Sequence, residues 1–307
     1  METSLRIAYG EALKELGAVN DKIVVLDADL SHATMTNIFA KEFPERFFNM
    51  GIAEGNMVLA AAGFAHTGLI PFVSTFAIFG AGRAFEQIRN SVCYSRANVK
   101  FALTHSGLSV GEDGGSHQAI EDIALMRTLP GMTIFVPCDP IETKKAVKAA
   151  VDIDGPVYIR IARPVVAHVT TEETPFEPGK AHTLKDGNDI CIITAGLMVP
   201  IALEAASMLE ADGISAAVVN MHTIKPIDKD MILKAASKYK GIVTAEEHSV
   251  IGGLGSAVAE VLAGNGTAKF AMVGVEDKFG RSGSPKELFE QYGLTKENIY
   301  SSAKKMM

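Results

Sequence analysis

A single pattern constrains this chain more than any other: a short β-branched run, a turn, then a longer amphipathic stretch, repeated. Lys22 to Leu26 (KIVVL) reads as a buried strand, Met35 to Phe43 as a helix, Arg46 to Met50 as a short strand, and Asn56 to Ala65 as a helix of small apolar residues. Leu69 to Ser74 and Val99 to His105 read as strands around a long helix from Phe79 to Ser95. Met132 to Val136, Pro140 to Val151 and Val157 to Ile161 add another strand–helix–strand unit. Such alternation calls for a parallel sheet, because parallel neighbours need a crossover and the crossover helices cover both faces. From Val165 to Asn188 the character changes. Val169 to Lys180 is polar, with two prolines, and reads as a connecting arm. A second series follows, with strands at Ile190–Ala195, Ile214–Asn220, Gly241–Ala245 and Lys269–Val275, and helices near Pro200–Glu210, Lys229–Lys238, Gly255–Leu262 and Pro285–Tyr292. We therefore predict an α/β chain of two doubly wound open-sheet domains, residues 1–166 and 188–307, joined by a linker over 167–187.

Composition narrows the function. Of 307 residues, 48% are hydrophobic and 21% charged, enough for two cores and too apolar for a disordered chain. No apolar run approaches the roughly 18 residues of a membrane span, and the opening METSLRIAYGEALKEL is amphipathic without a signal-peptide layout. A net charge of −7 argues against a nucleic-acid surface, which needs clustered Lys and Arg. Cys93, Cys138 and Cys191 are isolated in sequence, which disfavours zinc or a disulfide framework and suits a reducing cytoplasm.

In open α/β sheets ligands bind beyond the carboxyl ends of the strands. The residues there are Asp27 to Ser31, Gly51 to Glu54, Thr75 and Phe76, and His105 onward. Glu54 stands at a strand-to-helix junction, where the helix dipole favours a carboxylate. Taken alone it reads first as a charge at the helix N-terminus. Phe76 and Phe79 are either core aromatics or a wall for a flat heteroaromatic ring. The loop from Thr104 to Gln118 gathers His105, His117, Glu112, Asp113 and four glycines, and glycines let a backbone approach a ligand closely. Its histidine spacing matches no common zinc pattern, and no residue is assigned to a metal. Thr244 to Gly255 reads as a strand, an acidic corner, then glycines opening a helix, a weak phosphate signal. No P-loop or HExxH helix occurs.

In order, LDADLS, FFNMGIAEGNM, PFVSTFAIF, THSGLSVGEDGGSHQ, FVPCDP and GPVYIRIARP resemble the pyrimidine-binding domain of the transketolase family, whose enzymes use thiamine diphosphate. TIKPID and TAEEHSVIGGLGSAV resemble its C-terminal domain. Deoxyxylulose-phosphate synthases and the β subunits of 2-oxoacid dehydrogenases share much of this order, and VGEDGGSHQ leans toward transketolase proper. The family's GDG…N motif, which holds a divalent metal and the diphosphate, does not occur. The resemblance thus implies the C-terminal half of a split transketolase, moving two-carbon ketol units between sugar phosphates. An N-terminal subunit would supply GDG…N and Mg²⁺ (or Ca²⁺ or Mn²⁺). It further implies a heterotetramer, or a homodimer of this chain alone. A non-catalytic scaffold subunit is the alternative from another class.

By motif position the resemblance makes Glu54 the activating glutamate at the cofactor's pyrimidine nitrogen N1′, with Phe76 and Phe79 against that ring and Asp29 near the thiazolium. His117 would meet the donor's reacting hydroxyl or carbonyl, and Asp113 a substrate hydroxyl. His105, Arg163 and, with a poorer flanking match, Arg6 would bind the sugar phosphate. Two departures stand at the phosphate end: Ala33 where the family has a serine, and Ser106-Gly107 where Asp-Ser is common.

Overall fold

The apolar runs become strands whose side chains vanish on both faces: Ile23–Asp27, Lys100–Leu103, Val157–Arg160 and Ile190–Thr194 are buried throughout. The computed structural model describes residues 2–265 and 268–307. Its strands, in chain order, are β1 (Glu2–Ser4), β2 (Ile23–Asp27), β3 (Phe47–Asn49), β4 (Ile70–Ser74), β5 (Lys100–Leu103), β6 (Thr133–Phe135), β7 (Val157–Arg160), β8 (Val165–Ala167), β9 (His182–Lys185), β10 (Ile190–Thr194), β11 (Ala216–Asn220), β12 (Thr223–Lys225), β13 (Gly241–Ser249) and β14 (Lys269–Val275). A seven-stranded sheet runs β12-β6-β7-β5-β4-β2-β3, parallel except for β12. A five-stranded sheet runs β14-β13-β10-β11-β9, parallel except for β9. The predicted pair of doubly wound sheets is present.

Helices cover both faces of each sheet. Leu5–Val19 and Pro140–Asp152 bury Leu5, Tyr9, Leu13 and Val147 against Ile23, Phe72 and Ile159. On the other face, Met57, Ala61, Ile88 and Phe101 belong to an apolar layer that continues through Ile134 to Cys191, Ile193, Ile242 and Val258 of the second sheet. The two sheets therefore share a core. Each buried Leu, Ile or Phe contributes roughly 1.5–3 kcal/mol relative to exposure, so separating the sheets is costly. Caps follow the sequence: Asp139 accepts from Glu142 N–H with Pro140 in the first turn, and Ser284 and Glu287 form a reciprocal capping box.

Several elements depart from the sequence expectations. Within the stretch read as a linker, β9 borders the second sheet through four half-buried residues of which only Leu184 is apolar, too little for a hydrophobic signal. The short strand β12, carrying Thr223 to Lys225, leaves the second half of the chain and pairs antiparallel with β6 of the first sheet. The helix expected from Phe79 to Ser95 contains π turns over Ile78–Arg83 and Ile88–Tyr94. The acidic corner after Ala245 is no corner: β13 continues through Glu246, Glu247 and His248, all buried.

A buried carboxyl also bridges the two units. Glu142 on the helix Pro140–Asp152 accepts from Cys138 N–H at 2.7 Å and from Asn220 Nδ2 of β11 at 2.7 Å. Burial pushes it up to about 7. The unfolded chain ionises near the ordinary value while the fold holds this proton, so the contribution is full below about pH 4.5 and is lost as pH rises through about 7. Glu142→Gln can keep both contacts if Asn220 turns its amide to present Oδ1, which now lacks a partner. We expect that variant to lose about 2–3 kcal/mol less stability than wild type between pH 4.5 and pH 7.5, measured by urea unfolding. Parallel pH curves for the two proteins would refute the assignment.

Candidate active site

The carboxyl ends of β2, β3, β4 and β5 gather most of the residues singled out above. Buried Asp27 ends β2, accepting from Leu30 N–H at 2.6 Å and from the hydroxyls of Thr34 at 2.7 Å and Thr36 at 2.9 Å. Burial holds its carboxyl above the usual range. This anchor turns the chain so that Asp29 stands exposed at φ 64°, accepting from Asn49 Nδ2 at 2.9 Å. Asn49 Oδ1 in turn accepts from Gly51 N–H at 3.0 Å, which sets the entry to the helix Glu54–His66. His105, directly after β5, also has a left-handed backbone, φ 56°. Non-glycine residues held there cost of order 1–3 kcal/mol and concentrate at functional sites.

Glu54 opens its helix only 2% exposed. Both its oxygens accept from Arg83 Nη1, at 3.1 and 3.0 Å. The Arg83 guanidinium also lies 4.6 Å from the centre of the Phe79 ring. One cation thus reaches both groups, so the carboxylate and the ring occupy the same side of the site. Phe76 and Phe79 stack at 5.9 Å with 15° between their planes. Gly80 lets this π turn lie against β5, since a Cβ there would come within 2.4 Å of Leu103.

Both loop histidines join this wall. His105 stacks on Phe76 at 3.9 Å, and His117 meets Phe79 edge-on at 5.3 Å. Burial, then Arg6, Arg163 and His117, pushes His105 down to about 3, so its ring is neutral at physiological pH, with Nδ1 at 2.8 Å from Thr104 Oγ1. His117 Nδ1 is 3.0 Å from Ser116 Oγ. Arg163 donates to the Val110 carbonyl and lies 3.8 Å from Asp113 and 3.7 Å from Glu112. Arg6 donates to the Ala33 carbonyl at 2.8 Å, and its Nε is buried without a partner. Burial and the charge of Arg163 hold Arg6 below the usual arginine range. Of the two departures, Ser106 donates its hydroxyl to the Ile161 carbonyl at 3.2 Å, whereas Ala33 meets Arg6 through its backbone carbonyl and the structure does not explain its side chain.

Comparison with known proteins decides the family. A model of the transketolase pyrimidine binding domain matches residues 1–167, and a model of the transketolase C-terminal domain matches residues 179–299. The chain belongs to the transketolase family. It is 51% identical over 306 residues, 99% of this chain and 95% of the relative, to a Methanocaldococcus jannaschii protein provisionally named a transketolase C-terminal section. It is 42% identical to the 6-deoxy-6-sulfo-D-fructose transketolase subunit SqwH of Clostridium sp., covering 97% of this chain and 93% of that one. A solved split-gene transketolase, described as an inactive β4 tetramer, superposes with TM-score 0.93 at 55% identity, covering 99% of this chain and 98% of that chain.

The family implies thiamine diphosphate, and the residues present fit its aminopyrimidine half. Two parallel aromatic rings and a buried carboxylate share one side of the site, beside a buried Thr75 hydroxyl that lacks a partner. Among the described residues, no group of three or more His, Cys, Asp or Glu side chains is placed to hold a metal ion, and no helix is long and apolar enough to cross a membrane.

Sequence reasoning missed Arg83 and Asn49. A signal for Arg83 existed: a buried Glu54 needs a cation, and Arg83 follows Phe79 by four residues on the same segment. Removing the cation strands a charge that is 2% exposed, whereas Arg83 itself is 54% exposed. Arg83→Ala should therefore destabilise the chain by about 1–3 kcal/mol in chemical denaturation, and adding Glu54→Gln to it should recover most of that loss. Equal stability of Arg83→Ala and wild type would mean the pair carries no weight.

Proposed function

We propose that this chain is the C-terminal subunit of a thiamine-diphosphate-dependent transketolase, transferring a two-carbon ketol unit between sugar phosphates. It acts only with an N-terminal subunit that binds the diphosphate and a divalent metal, taken as Mg²⁺. The observation that carries this reading is the buried Glu54 carboxylate on the same side as the stacked Phe76 and Phe79 rings. Relatives of almost the same length named as transketolase sections or subunits support a divided enzyme. So does the exposure of Ile52, 78%, and Leu59, 49%, around Glu54, an apolar face suited to a second subunit.

Thiamine diphosphate, when bound, supplies the carbon nucleophile and the electron sink. Glu54 would hydrogen-bond the pyrimidine ring nitrogen N1′ and share the proton there. Arg83, half exposed, is free to leave the carboxylate as the ring arrives. Phe76 and Phe79 fix the plane of the ring, and Asp29 stands at the adjoining strand end. His117, with Nδ1 turned to Ser116, directs Nε2 at the donor's reacting oxygen. Asp113 accepts a substrate hydroxyl. Arg6 and Arg163 hold the terminal anion, and neutral His105 contributes a hydrogen bond there, without charge. With no hydroxyl at Ala33, recognition of that anion rests on the two guanidinium groups.

Assembly is proposed as a heterotetramer, two copies of each subunit. Against the homodimer that the resemblance implies for this chain alone, the inactive β4 tetramer of its solved relative favours further self-association. Three buried, unpaired cysteines suit a reducing cytoplasm. The test mixes this chain with an N-terminal subunit carrying GDG…N, thiamine diphosphate and Mg²⁺. Ketol transfer should appear only in the mixture and fall about 10²–10⁴-fold with Glu54→Gln. Wild-type rates from that variant would remove the mechanism. Pyruvate decarboxylation in place of ketol transfer would assign the chain to a different thiamine enzyme.

A further inference from the structure

The segment Ser106 to Gln118 carries two of the proposed substrate-facing side chains, Asp113 and His117, and it closes on itself through the Gly107 N–H to Ala119 carbonyl bond at 2.8 Å. Much of what holds it comes from the second sheet. Glu247, near the carboxyl end of β13, directs Oε1 at the Ser109 N–H, 2.6 Å away. The approach is so close that a Cβ on Gly107, φ 76°, would lie 2.2 Å from that oxygen. At the other end of the loop, Gln118 Nε2 donates to the Arg281 carbonyl at 2.9 Å. Between them, a Cβ on Gly114 would lie 2.5 Å from Ser282 Oγ, and one on Gly115 2.6 Å from the Gly280 carbonyl. The loop's glycines therefore admit the second sheet's segments, a different use from the approach to a ligand expected from sequence.

Glu247 is itself fixed. Its carbonyl accepts from Arg160 Nη2 at 3.0 Å, and Arg160 grips Asp122 at 2.7 and 3.1 Å and the Ala119 carbonyl at 3.1 Å. Oε2 of Glu247 is buried without a partner. A carboxyl with one anchored oxygen, at the only hydrogen bond made to the Ser109 N–H among the described residues, has the arrangement of a tether. We propose that Glu247 is a positioning residue: by accepting the Ser109 N–H from the second sheet, it sets the conformation in which Asp113 and His117 face the substrate. This rests on the transketolase reading for what those two residues do. The tether itself does not.

The test therefore begins with the whole chain alone, without partner or cofactor. In amide hydrogen exchange read by mass spectrometry, Glu247→Ala should speed exchange across Gly107–His117 about tenfold or more, with the strands β2 and β10 unchanged. Glu247→Gln keeps a carbonyl oxygen for Ser109 and should stay within about threefold of wild type. If Glu247→Ala does not fold, Gly107→Ala, which drives the loop off the intact carboxyl, should loosen the same segment. Unchanged exchange in the folded variant overturns the proposal, and so does equal loosening by Ala and Gln. In the two-subunit enzyme, Glu247→Ala should lower kcat/KM for the sugar phosphate about tenfold, mainly through KM, with rescue by Gln. Loosened exchange with wild-type kinetics would also overturn it. If the tether behaves as expected while His117→Ala and Glu54→Gln retain full activity, the transketolase reading falls and the tether stands.

Discussion

Arg160 cannot shed its charge, and the fold places it at the end of β7 with 5% of its surface exposed. Everything around it answers that constraint. Asp122 supplies the opposite charge through two contacts and also accepts from the Tyr158 hydroxyl, and the carbonyls of Ala119 and Glu247 take what remains. Arg160 itself lies on the first sheet, Ala119 and Asp122 on the loop and short helix that leave it, and Glu247 on the second sheet. One buried guanidinium thereby locks three pieces of chain in register, at the cost of desolvating an ion pair.

The neighbouring acidic side chains become intelligible in the same terms. Glu246 and Glu247 are both pushed up to about 7 by burial, against the pull of nearby N–H groups and arginines. Glu246 accepts from the first N–H groups of the helix Leu254–Ala263, at 2.6 and 2.8 Å, and Glu247 from the loop. His248 is driven the other way, down to about 4, and its Nε2 takes the Ala124 N–H as a neutral acceptor. A motif that reads as a phosphate signal in sequence is thus a structural seam: Glu247 and His248 accept backbone N–H groups from the first unit, and Glu246 accepts those of its own.

The site draws on this seam without being part of it. Glu54, Phe76, Phe79 and Asp29 are set by strand ends and the helix Glu54–His66 of the first sheet alone. Asp113 and His117 are set by a loop that the second sheet holds. The group around Glu54 and the loop carrying Asp113 and His117 therefore have different mechanical supports, and the second sheet bears on the loop.

Sequence alone determined the parallel sheets, because β-branched runs spaced by amphipathic stretches admit few other packings, and it singled out Glu54, Phe76 and Phe79, because their motifs occur in the family's order. It could not reveal that β12 crosses to the first sheet or that β9 borders the second, since short half-polar edge strands carry no periodic signal. Nor could it pair Glu54 with Arg83, separated by 29 residues, or Ser109 with Glu247, separated by 138. Charge satisfaction is a property of space: a buried carboxyl takes whichever donor the packing brings within reach, and only the tertiary structure decides which one that is.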